Sequence, residues 1–123
     1  MTSEMTSYQR HVEEWLKICF PPSVRADRSE RNHRFLEEAL ELAQANGCSH
    51  GDAIALVNYV FGRQAGEADQ EVGGVMVTLA SLCSAIGVDM AKAGDRELAR
   101  NWDRIDVIRI KQKSKPHGSP LPQ

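Results

Sequence analysis

This 123-residue chain has no apolar run approaching the roughly 18–20 residues that a bilayer-spanning helix needs, so no membrane span is expected. It has few cysteines, and none are paired in sequence. Cys19, Cys48 and Cys83 are odd in number, widely spaced and form no CxxC, which argues against a zinc site or a disulfide framework. They read as reduced thiols of a cytoplasmic protein, with Cys83 in the core. An excess of basic charge is also missing. The formal net charge is −2, so no general positive field favours nucleic acid. The opening "MTSEMTSYQR" lacks the charged-then-apolar pattern of a secretory signal.

Several familiar site motifs are absent as well. Without a DxDxDG loop there is no EF-hand, and without HExxH there is no zinc protease of that type. The glycine pair at 73–74 lacks the GxxxxGK[ST] frame of a phosphate loop. There is no internal repeat and no convincing strand. "VIRI" at 107–110 alternates, but it lies inside a longer helical stretch.

What is present is helical periodicity. Tyr8, Val12, Trp15, Leu16 and Cys19 are spaced as one helix face, and "FPPS" ends that helix because two prolines remove donors. A second helix is expected from about Asp27 to Asn46, with Gly47 free to turn left-handed. Ser49 and Asp52 have the spacing of a capping box that opens a third helix. A fourth, from about Glu67 to Ile86, is apolar on nearly every side, the pattern of a helix buried on most of its faces. A fifth runs from Asp89 to roughly Lys111. The fold class is all-α, a compact bundle of four to five helices. Residues 1–112 are expected to form one domain, and 113–123, rich in Pro, Ser and Gly, a disordered tail.

The stretch "RFLEEALEL" holds three glutamates in five residues. At about 100° per residue, Glu37, Glu38 and Glu41 fall opposite Phe35, Leu36, Ala39 and Leu40. A glutamate-rich outer face is common on surface helices, and Arg34 can pair with Glu30 or Glu38 across one turn. The alternative is the wall of a metal site. Glu71 favours it, because it lies on the apolar fourth helix, where an acid is costly unless it is paired or metal-bound. Gly73 and Gly74 follow it and suggest close approach of another backbone or a ligand. Facing acids of this kind suit a hard cation. Mg²⁺ fits best, with oxygen ligands and open positions that a phosphate substrate can fill.

The sequence resembles the MazG-like all-α nucleoside triphosphate pyrophosphohydrolases. "EEALE" at 37–41 matches their EExxE motif, and "EVGG" at 71–74 matches ExxD except at its last position. "GVDMAKAGDRELARN" at 87–101 is similar to the Gly-(Ile/Val)-Asp opening and Lys-Asn ending of the family's next helix. The resemblance implies hydrolysis of a (d)NTP to the monophosphate and pyrophosphate with Mg²⁺, for which Mn²⁺ can substitute. It implies Glu37, Glu38, Glu41 and Glu71 as metal ligands, with Glu38 or Glu41 taking the proton of the attacking water. Arg100 and Asn101 stand where the family contacts phosphate. Arg104 and Arg34 join them as substrate-binding residues.

The resemblance further implies a homodimer or homotetramer in the cytoplasm of a bacterial or phage-infected cell. Two departures stand out: Gly74 replaces the family's aspartate, and Glu97 stands where many members have lysine. Glu67, one turn before Glu71, could compensate for the missing acid. The competing expectation is a noncatalytic helical protein that binds nucleotide or another protein. His33 reads as a partner for a neighbouring carboxylate. Trp15, Tyr59, Phe61 and Trp102 read as core or interface, with base stacking as the alternative. The basic run Arg109, Lys111, Lys113 and Lys115 reads as a solvated tail.

Overall fold

The structure is a computed structural model and describes residues 7–114. Among these residues it is all-α, with seven helices and no strand. They are α1 (Ser7–Cys19), α2 (Pro22–Arg25), α3 (Arg28–Ala45), α4 (His50–Phe61), α5 (Ala68–Ile86), α6 (Met90–Asp103) and α7 (Ile105–Ser114). Among the described residues two more helices are present than the upper bound expected, and each has an identifiable cause.

The first is α2. The two prolines end α1 as expected, but Pro22 also occupies the first turn of a new helix. Its missing N–H costs nothing there, and its φ already suits a helix. The second is the break between α6 and α7, inside what the periodicity presents as one helix to Lys111. The Arg104 amide bonds to the Asn101 carbonyl at 3.1 Å, a tightened i→i+3 turn. The same carbonyl accepts from the Trp15 indole at 3.3 Å, from a residue distant in sequence.

The chain divides into two compact units. Leu36–Met90 forms one, and the described parts of Met1–Phe35 and Ala91–Gln123 form the other. The expectation is a single domain over residues 1–112, and the chain divides into two units there. Helix α7 extends to Ser114, so the first residues of the expected tail are helical, and residues 115–123 lie outside the described residues.

The terminal unit has a small core. Cys19, Phe20 and Leu98 are buried. Trp15 meets Phe20 edge-on with centroids 5.9 Å apart, and the Arg31 guanidinium lies 5.2 Å from the Phe20 centroid. Burial lowers the Arg31 pKa, and Glu30 opposes that shift. Helix α7 is fastened to α1 by Arg109, whose Nε donates to the Ile18 carbonyl at 3.0 Å and whose Nη2 donates to the same oxygen. Asp27 caps α3: its Oδ1 accepts from the Glu30 amide at 3.1 Å.

The second unit holds the remainder of α3 with α4 and α5. Ser49 caps α4 by accepting from the Asp52 amide at 3.1 Å, as its spacing predicts. Gly47 and Gly87 are left-handed, with φ of 88° and 72°, and close α3 and α5. Cys83 is the single buried residue among the described residues of this unit. Within one chain α5 is therefore not covered on most of its faces. Its apolar residues surround the helix, and two neighbouring helices can cover only one side of it. The apolar face of α3 is open too, with Phe35, Leu36 and Leu40 exposed. The close approach expected at Gly73 and Gly74 is likewise not made within the chain: a Cβ at either position meets nothing within 4 Å.

Candidate functional site

Helix α3 carries three of the four proposed ligands in one uninterrupted run. Its register places Glu37, Glu38 and Glu41 on adjoining positions of a single side. Glu37 is half-buried, whereas Glu38 and Glu41 are exposed. The fourth acid, Glu71, belongs to the opening turns of α5, where its amide bonds to the Glu67 carbonyl at 3.0 Å. Its carboxylate lies over the loop glycine Gly66. A Cβ there would come within 3.3 Å of Glu71 Oε1. Glu67 is the N-cap residue of α5 in extended conformation, and its side chain makes no capping bond.

All four acids fall within the unit Leu36–Met90. Their chemistry suits Mg²⁺, since each offers hard carboxylate oxygens at a water-accessible position. Their present side-chain placement does not complete a site. Among the described residues, no group of three or more His, Cys, Asp or Glu gathers as a metal would require. The same unit has an open cleft of about 770 Å³ lined by Ala43, Cys48, Asp52, Leu56, Tyr59 and Leu82. It is mostly apolar and contains none of the four proposed ligands.

The proposed phosphate-side residues Arg34, Arg100, Asn101 and Arg104 all belong to the other unit. Arg34 faces Glu30, Nε to Oε1 at 3.6 Å, with both side chains largely covered. Arg100 is exposed and held by Glu97 through two bonds, Nε to Oε1 at 3.1 Å and Nη2 to Oε2 at 3.0 Å. Asn101 lends its carbonyl to both the Trp15 indole and the Arg104 amide at the end of α6. Arg104 sits in that turn, half-buried.

Two contacts at this end of α6 lie outside the expectations drawn from sequence. The Glu97–Arg100 pair was readable, because residues three apart on a helix are neighbours. The Trp15–Asn101 bond was not, since nothing local signals a partner 86 positions away. Of the aromatics with a stacking alternative, Trp15 is a packing residue against Phe20. Tyr59 is covered on one ring face by Arg63, 4.3 Å from its centroid. Among the described residues no single helix is long and apolar enough to cross a membrane. No protein-family model, curated protein or solved structure matches the chain.

Proposed function

We propose that this protein is a Mg²⁺-dependent pyrophosphohydrolase of the MazG-like type, cleaving a (d)NTP between its α and β phosphates. The observation that carries the proposal is the placement of Glu37, Glu38, Glu41 and Glu71 on two helices of one compact unit. Those acids would hold Mg²⁺, or Mn²⁺ in its place. When bound, the cation neutralises phosphate charge and makes a bound water more acidic. Glu38 or Glu41 accepts the proton of the attacking water. The resemblance gives Arg100, Asn101, Arg104 and Arg34 as the phosphate-binding residues, the arginines through charge-assisted bonds. The functional form is a homodimer or homotetramer. The three free thiols, Cys19, Cys48 and Cys83, suit the reducing cytoplasm in which such an enzyme works.

A second reading has its own support. Gly74 stands where the resembled family has an aspartate, and no three acids converge among the described residues. A noncatalytic nucleotide-binding or protein-interaction module accounts for both. The experiment that separates the two readings incubates the purified protein with each (d)NTP and Mg²⁺ and measures pyrophosphate and monophosphate. Release from at least one nucleotide, abolished by Glu71→Ala with helix content intact, supports the enzyme. No release from any nucleotide favours the module. Metal binding has a separate readout: Mg²⁺ at 100 times its dissociation constant stabilises a native-only binder by about 2.7 kcal/mol. Glu71→Ala should remove that gain.

A further inference from the structure

The formal net charge of −2 averages two units of opposite sign. In the unit Leu36–Met90, eight Asp and Glu stand against one base, Arg63, a net of −7. In the other unit the described residues carry 13 Lys and Arg against eight Asp and Glu, a net of +5. A compact unit with that excess attracts polyanions on its own account. Part of the excess gathers at one place, the end of α1, for a reason written in the sequence. The Ile18 carbonyl would be bonded by an amide three or four residues on, and those residues, Pro21 and Pro22, have none. Arg109 of α7 supplies the missing donor through Nε at 3.0 Å. The Val24 amide turns to the Pro21 carbonyl, and the Phe20 carbonyl instead accepts from Nε of Arg25, in α2, at 3.2 Å. Arg31 of α3 lies over the Phe20 ring. Three guanidinium groups from three helices thus meet around residues 18–20.

The acids at this end leave that charge incompletely matched. Asp27 caps α3, and Glu30 Oε1 is shared between Arg31 Nη2 and Arg34 Nε at 3.6 Å each, beyond hydrogen-bond range. Arg31 Nε and Nη2 are covered and have no hydrogen-bond partner among the described residues. Two exposed cations widen the patch: Arg28, one turn before Arg31, and Lys113, one turn after Arg109. We infer that this end of the terminal unit, with Arg25, Arg28, Arg31, Arg109 and Lys113, binds the phosphate backbone of duplex nucleic acid without reading its sequence. A guanidinium carries five N–H donors in a planar fork that matches phosphate, so one carbonyl takes only part of its capacity. Anchoring on fixed carbonyls orders Arg25 and Arg109 in advance, which lowers the cost of binding. Phe20 is buried and Trp15 packs on it edge-on, so the aromatics here offer no face to an unpaired base, and a duplex fits better than a single strand. An anionic bilayer is the competing polyanion, since Val107 and Ile110 are exposed on the helix that carries Lys111 and Lys113. A membrane-surface helix spreads its cations along one face, whereas these converge from three helices. None of the five residues has a role in the proposed hydrolysis, so the inference stands apart from that reading.

The test uses the full chain in EDTA, with a fluorescent random-sequence DNA duplex long enough to span the patch and, separately, its single strand. Fluorescence polarisation should show micromolar binding to the duplex in about 50 mM salt, lost steeply as salt is raised. No duplex binding at that salt overturns the inference. Arg28→Gln combined with Lys113→Gln, both at exposed positions, should weaken binding about tenfold or more and reduce the salt slope by about two. Arg63→Gln, in the acidic unit, should change neither. A double variant that binds like wild type, with helical circular dichroism unchanged, overturns the named face. Tighter binding of the single strand than of the duplex overturns the choice of duplex. Binding to vesicles of phosphatidylserine and phosphatidylcholine without binding to duplex overturns the inference in favour of a membrane surface. Pyrophosphate release is a separate measurement, and Glu71→Ala should bind duplex as wild type does whether or not it hydrolyses nucleotide.

Discussion

Glu97 clasps the guanidinium of Arg100 at two points, 3.1 and 3.0 Å, and so occupies the donors that the proposed phosphate contact would use. A phosphate must displace that carboxylate to reach Arg100. Exposed pairs of this kind are worth roughly 0.2–1 kcal/mol. Glu97→Gln should therefore lower stability by no more than about 1 kcal/mol while tightening nucleotide binding by roughly 1.4–5-fold. Calorimetric titration with a non-hydrolysable (d)NTP analogue checks it. Unchanged affinity would mean that Arg100 does not touch phosphate.

Tyr8 and Gly94 fit each other closely. The Tyr8 hydroxyl donates to the Gly94 carbonyl at 3.0 Å, and a Cβ at position 94 would meet the ring at 3.1 Å. In isolation, replacing a helix-interior glycine with alanine stabilises by about 1 kcal/mol. Here the Tyr8 ring must give way by a few tenths of an ångström and its hydrogen bond is weakened, which offsets the helix gain, so Gly94→Ala should be neutral to destabilising by about 0.5 kcal/mol. In a Tyr8→Ala background the same change should become stabilising, by about 0.8 kcal/mol. Urea unfolding of the four proteins in this cycle measures the reversal.

Alkaline pH should weaken the terminal unit. Burial raises the Cys19 pKa against a smaller opposing effect of Arg109, and burial followed by Asp95 and Glu97 raises that of Tyr8. Below their unfolded values, about 8.5 and 10, both groups hold their protons in either state and their contribution is complete. As pH rises further the unfolded chain ionises first, so stability falls until pH passes the folded values. Thermal midpoints between pH 7 and pH 10.5 should decline above about 8.5, and Cys19→Ala should flatten the first part of that decline.

Ser49 accepts the Asp52 amide at the start of α4, a bond that water must otherwise make. Ser49→Ala should cost about 1 kcal/mol, and Ser49→Asp should retain most of it. Differential scanning calorimetry on the two variants distinguishes a cap from a generic surface effect.

The helices and their ends were legible because the causes are local. Ser49, Gly47, Gly87 and the prolines at 21–22 act through their own backbone or a neighbour within four residues. The missed break at Arg104 had a nonlocal component, since Trp15 reaches the Asn101 carbonyl from the far end of the chain. The four acids of the candidate site were found by helical register, which fixes the side of a helix a residue occupies. Register does not fix how one helix sits against another, and among the described residues the carboxylates do not converge.

The sequence by itself determined that the chain is helical, where most helices begin and stop, and that its acids lie on two of them. Periodicity, capping and proline chemistry operate over a single turn, so one strand of text carries them. Tertiary structure decided that Tyr8 rests on Gly94, that Trp15 reaches the Asn101 carbonyl, and that α5 stays open within one chain when its composition suggests a covered helix. A hydrophobic pattern records that a face avoids water. Whether its cover comes from the same chain or another is settled by the three-dimensional packing of the elements.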